Sequence, residues 1–84
     1  MKTLIETNEF GLETLLNQRI TFFGLNYIYT GNLKAFDNEW ATLENAGIVY
    51  ETGAFTDKDW KDYQSLPHPV RVRLSSIESV MVLK

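Results

Sequence analysis

The residues best suited to chemistry fall into two short clusters. Asp37, Asn38 and Trp40 form one; Arg71, Arg73, Ser75 and Ser76 form the other. Arginines two positions apart on a strand share a face, so Arg71 and Arg73 offer two guanidinium forks to phosphate. Trp40 offers a flat surface on which a nucleobase can stack. Asp37 and Asn38 would line a pocket beside it, and Ser75-Ser76 follows the two arginines. Together these types suit recognition of single-stranded nucleic acid, and all seven are its candidate binding residues. Each also has a bland use. Asp-Asn pairs build tight turns whether or not a ligand binds, and arginines on an outer strand face are commonly solvated or paired with carboxylates. Tyr27 and Tyr29 are further stacking surfaces, although aromatics alternating along a strand usually pack.

No comparable grouping supports catalysis. The chain has no cysteine, which removes disulfides, thiolate metal sites and cysteine nucleophiles. Its one histidine, His68, stands between Pro67 and Pro69 and cannot build a zinc site alone. Asp57, Asp59 and Asp62 begin like a calcium loop but lack its glycine and its closing glutamate. Ser75 and Ser76 lack the glycines of a nucleophile elbow. The expectation is a protein that is not an enzyme and uses no cofactor or metal.

The element that must position the first cluster is Tyr27–Glu44. Tyr27, Tyr29, Gly31 and Leu33 alternate with Ile28, Thr30, Asn32 and Lys34, the two-residue period of a strand with one buried face. Gly31 inside that strand predicts a sharp bend or a close backbone approach. Phe36-Asp37-Asn38-Glu39 predicts a reversal. Trp40, Thr42 and Leu43 then open a strand that continues to Tyr50, with Gly47 marking a bulge or kink. Before it, Arg19–Leu25 reads as a first strand carrying an aromatic on each face, so neither face is left to solvent. Gly24 and Asn26 supply the turn that follows it. Leu12, Leu15 and Leu16 at i, i+3, i+4 predict a helix over about residues 9–18, capped by Asn8 and begun by Glu9. Residues 1–8 carry no decisive pattern: Thr3 and Glu6 have capping-box spacing, and Leu4-Ile5 suits a short strand equally.

The second cluster rides on Val70, Val72 and Leu74, which alternate with Arg71 and Arg73. Ser75-Ser76 turns the corner into a last strand, Ile77–Leu83. The loop of about residues 52–69 is long for so small a domain and should carry local structure or a role of its own. Thr56–Tyr63 within it suits a single helical turn capped by Thr56.

Eighty-four residues make one domain, 1–84, whose core is marginal without partners. Two Trp, four Tyr and five Phe with 44% apolar residues are too many for a disordered chain. Net charge is −3, so there is no global attraction for nucleic acid, and basic charge is available chiefly at Arg71 and Arg73. No apolar run approaches a membrane span and the first residues lack signal-peptide character. The expectation is therefore a soluble, cytoplasmic protein without a membrane partner.

A short helix followed by five bent strands, with Tyr29, Gly31-Asn32-Leu33, Phe36-Asp37 and Leu43 in this spacing, resembles the Sm-like proteins (Sm, LSm and Hfq). Ile77-Glu78-Ser79-Val80 is similar to the family's short last strand. The similarity covers roughly residues 9–82. It implies a mainly β fold: a short N-terminal α-helix followed by a five-stranded, strongly bent antiparallel SH3-like or Sm-like barrel. It further implies a homo-oligomeric ring of about five to seven protomers, closed by the fourth and fifth strands. Val70, Val72, Leu74, Ile77, Val80 and Val82 are then the candidate interface residues. Such rings bind single-stranded RNA. The chain departs from the family at Ala41, where Sm and LSm proteins carry a base-reading asparagine. Ser75-Ser76 replaces their Arg-Gly pair, and Arg73-Leu74-Ser75 stands where Hfq has Tyr-Lys-His. Candidate partners are further copies of the chain, RNA, and a protein held by the 52–69 loop. The alternative to an RNA-binding ring is thus an adaptor ring that binds protein alone. A third reading is a monomeric SH3-like peptide binder.

Overall fold

The computed structural model describes residues 11–84. The expected cap and helix start at Asn8 and Glu9, and the ambiguous residues 1–8, lie outside the described residues. Six strands form one antiparallel sheet: β1 (Arg19–Gly24), β2 (Ile28–Phe36), β3 (Trp40–Glu51), β4 (Asp62–Ser65), β5 (Val70–Arg73) and β6 (Ile77–Met81). The hydrogen-bonded order is β4-β3-β2-β1-β6, with β5 also on β3, and among the described residues the sheet does not close.

β3 is the element every region leans on. One edge pairs with β2 from Phe36↔Ala41 to Ile28↔Val49. The other edge is shared: Trp40–Leu43 take β5, and Gly47–Glu51 take β4. Between these halves the sheet bends. Thr30 faces Gly47 and Asn32 faces Glu44, so β3 spends Asn45 and Ala46 opposite Gly31 alone. Asn45 has φ 48°, a conformation asparagine tolerates better than most residues. A Cβ on Gly31 would lie 2.9 Å from the Ala46 Cβ and 3.0 Å from the Leu43 Cβ. The glycine is there because the chain folds back onto it, as the sequence implies.

Ile20, Phe22, Leu33, Ala41, Leu43, Ala46 and Val72 fill the concave side. Leu12 and Leu15 pack against them from a four-residue 3-10 turn, Leu12–Leu15. This corrects the expected α-helix over residues 9–18. Three residues per turn align Leu12 with Leu15 and leave Leu16 exposed. Asn17, at φ 67°, then swings the chain into the sheet, its N–H donating to the Leu33 oxygen at 2.7 Å.

The opposite face is covered as well. Thr21 and Thr30 are fully buried there, and the Thr30 hydroxyl donates to the Ile20 oxygen at 3.0 Å. Phe55 brings a ring edge-on to Phe23, centroids 6.1 Å apart. Residues 52–69 are therefore no plain loop, and they hold no helical turn at 56–63. They contribute β4, which makes six strands rather than five among the described residues. The irregularity expected at Gly47 falls at Asn45–Ala46 instead. Gly47 is small because the Tyr63 ring of β4 crosses it. Among the described residues no helix is long and apolar enough to cross a membrane.

Candidate nucleic-acid interface

The β2–β3 turn is built by one carboxylate. Asp37 N–H donates to the Trp40 oxygen at 2.9 Å, and its Oδ1 accepts from Glu39 N–H at 2.7 Å and Trp40 N–H at 2.9 Å. Those two amides, and secondarily the positive charge of Arg71, hold the Asp37 carboxyl below its ordinary value. The second turn, Leu74–Ser76, is a 3-10 corner in which Ser76 Oγ donates to the Arg73 oxygen at 2.8 Å. Leu74 N–H reaches the Glu39 oxygen at 2.8 Å. One hydrogen bond thus fastens the turn that ends β2 to the turn that ends β5.

The strand pairing does the rest. Trp40 lies opposite Arg73 and Thr42 opposite Arg71, so four side chains share the outer face of β3 and β5. The Arg73 guanidinium carbon stands 4.4 Å from the Trp40 ring centroid, and that of Arg71 5.9 Å. Cation–ring attraction of about 0.5–1 kcal/mol per exposed contact orients both forks. A cation held in this way still has N–H groups to offer an anion. Neither guanidinium pairs with a carboxylate among the described residues; the ion pairs there are Lys34–Glu44 and Lys61–Glu51. Asn38 and Ser75 are exposed on the same two turns, and Ser76 is half-buried.

All seven candidate binding residues therefore gather at one end of the sheet, although 33 positions separate Asp37 from the start of β5 at Val70. Their roles divide. Asp37 and Ser76 are spent on bracing the turns, whereas Trp40, Arg71 and Arg73 face outward. Tyr27 and Tyr29 do not join them; their rings pair with each other, centroids 6.1 Å apart. Of the candidate interface residues, Val72 is 3% exposed, so its side chain belongs to the chain's own core. Val70, Leu74, Ile77 and Val80 are partly buried against that core, and Val82 is 57% exposed. Among the described residues no group of His, Cys, Asp or Glu is arranged to hold a metal.

One cluster has no counterpart in the sequence analysis. Lys84 sets its ammonium over the Trp60 ring, 4.5 Å from the centroid, inside the 52–60 segment. Nothing in the spacing of these two residues signals it. A scan against protein-family models finds no match for this chain, and a search of the curated proteins finds none either.

Proposed function

We propose that this chain is an Sm-like protomer that assembles with copies of itself and binds single-stranded nucleic acid, RNA first, at the Trp40–Arg71–Arg73 face. In this reading β1, β2, β3, β5 and β6 are the five strands of a bent barrel, and β4 is an addition to it. The observation that carries the binding role is the stack of Arg73 and Arg71 on Trp40, fastened by the Leu74–Glu39 hydrogen bond. It sets two guanidinium forks, neither in an ion pair among the described residues, beside an aromatic surface, the combination a phosphate-linked chain of bases requires. Assembly is supported by the strand edges. Among the described residues β5 and β6 each pair along one edge only. β4 likewise pairs with β3 alone, and free edges at both ends of the sheet suit head-to-tail pairing that closes on itself.

Binding of labelled oligo-U and oligo-A across a salt series tests the first part. With one phosphate neutralised by each arginine, log affinity should fall against log salt with a slope of about −1.4. No binding at low salt by an intact assembly overturns it. Native mass spectrometry tests the second part, and a mass of 9.7 kDa at micromolar concentration overturns it. The reading as a protein-binding adaptor rests on Phe55, 55% exposed in the 52–60 segment. Phe55→Ser separates the two readings, because it should leave oligonucleotide binding unchanged and abolish capture of a protein partner.

A further inference from the structure

Residues 52–60 leave β3, fold back over the second face of the sheet, and close on a single cation. Lys84 Nζ donates to the main-chain oxygens of Ala54 at 3.0 Å, Asp57 at 3.1 Å, Asp59 at 3.1 Å and Thr52 at 3.3 Å. The Trp60 ring closes the remaining side at 4.5 Å. An ammonium has three N–H groups, so four oxygens share three donors and no donor is left over. Every part of the cage comes from nine consecutive residues.

The cage holds its shape by bonds in which Lys84 takes no part. Asp57 N–H donates to the Ala54 oxygen at 3.0 Å, and Ala54 N–H donates to Asp57 Oδ2 at 3.3 Å. Thr52 Oγ1 donates to the Gly53 oxygen at 2.8 Å, and Gly53 takes φ 67°, which glycine adopts without strain. Phe55 anchors the segment to β1 through Phe23. These bonds fix the backbone path that turns the oxygens inward.

We propose that Thr52–Trp60 is a preorganised receptor for a primary ammonium group, filled in the resting chain by Lys84 as a tethered ligand and open to the amine of another molecule when Lys84 withdraws. The donor set defines the ligand. Converging peptide oxygens demand N–H groups, which a quaternary ammonium lacks, and the aromatic face demands positive charge. A cavity of about 270 Å³ adjoins Lys84 and Trp60 and leaves room for an alkyl stem. Arg19 and Lys58 also line it, against one acid, Asp59. Two further cations disfavour a second positive charge, so the site takes a monoamine in preference to a polyamine. Tethering gives Lys84 the advantage of effective concentration over any free competitor.

The experiment uses Lys84→Met, which keeps an apolar stem and removes the ammonium. The indole N–H signals of Trp60 and Trp40 are followed by NMR during titration with n-butylammonium, tetramethylammonium and spermidine at constant ionic strength. In the variant, n-butylammonium should shift the Trp60 signal saturably in the millimolar range and leave Trp40 still. Tetramethylammonium should not shift it, and spermidine should bind more weakly than n-butylammonium. The unaltered chain should show no Trp60 shift over the same range. The absence of a saturable shift in the variant overturns the proposal, as does an equal shift in the unaltered chain or tighter binding of spermidine. Hydrogen exchange at the Asp57 amide is measured alongside. Loss of its protection in Lys84→Met means the cage forms only around Lys84, which overturns the proposal too.

Discussion

Two tryptophans in this molecule lie beneath cations, and the two arrangements put their charge to opposite uses. At Trp40 the guanidiniums of Arg73 and Arg71 rest on the ring, and their N–H groups have no partner among the described residues. At Trp60 the Lys84 ammonium stands at a similar distance from its ring, but main-chain oxygens engage all its donors. Attraction to the ring is common to both. What differs is whether hydrogen-bonding capacity remains once the ring has been satisfied. Where it remains, the surface can receive an anion; where it is consumed, the cation serves as a fastener. The supports differ in kind as well. Cross-strand pairing sets Arg73 against Trp40, whereas Lys84 meets Trp60 only because a nine-residue segment folds back over the sheet.

The largest perturbation tests whether these regions belong to one body. Leu43 is fully buried at the junction between the two halves of β3, paired with Leu33 on one side and Val70 on the other. Leu43→Ala should cost about 2–5 kcal/mol, measured by urea unfolding. Both indole signals should change in a single transition. Two separate transitions would mean that the cationic face and the fastened segment are independent units that share only a strand.

Next come substitutions that act on one tryptophan and spare the other. Arg73→Ala should reduce the slope of log affinity against log salt by about 0.7, while stability stays within about 0.5 kcal/mol of the unaltered chain. Lys84→Met should do the reverse. Its stability should fall by about 1 kcal/mol, since charge-assisted hydrogen bonds are lost from a partly solvated site, and oligonucleotide affinity should not move. If instead the lysine change weakened oligonucleotide binding and the arginine change weakened the fold, the assignment of anion-binding face and fastener would be inverted.

The cationic face was legible in the sequence and the fastener was not, for a physical reason. Alternation of Val70 and Val72 with Arg71 and Arg73 is local information, as are the turn chemistry of Asp37 and the bend at Gly31. Each follows from the nearest few residues, and the sheet has only to bring them together. The N-terminal leucines show local information misleading. Their spacing fits α and 3-10 geometry alike over a single turn, and the left-handed Asn17 selects the shorter form. β4 lies further out of reach, because Asp62-Tyr63-Gln64-Ser65 has no alternation to announce a strand. It becomes one by pairing with the half of β3 that β5 leaves free, its Tyr63 ring crossing Gly47. Lys84 and Trp60 are separated by the whole of β4, β5 and β6, so no window of sequence contains both.

The smallest expected effect concerns acid, and it too should part the two tryptophans. Asp37 carries the turn beside the cationic face, its carboxyl held below the ordinary value of 3.8 first by the Glu39 and Trp40 amides and then by Arg71. A carboxyl depressed in the folded state contributes stability that is complete above its unfolded value and disappears as pH falls through the folded one. The turn under Trp40 should therefore loosen only below pH 3.8. Asp37→Asn keeps an oxygen for both amides and removes the titration, so its acid limb should be flatter than that of the unaltered chain. At neutral pH the variant should be slightly the less stable of the two, because an uncharged acceptor bonds those amides more weakly. The Trp40 indole signal should follow this acid step in the unaltered chain and not in Asp37→Asn. The Trp60 signal should be the same in both proteins, because Asp37 lies outside the Thr52–Trp60 segment that surrounds Lys84. An acid step of equal size at Trp40 in both proteins would show that another group drives it, and the turn would lose its claim on the arginines above it.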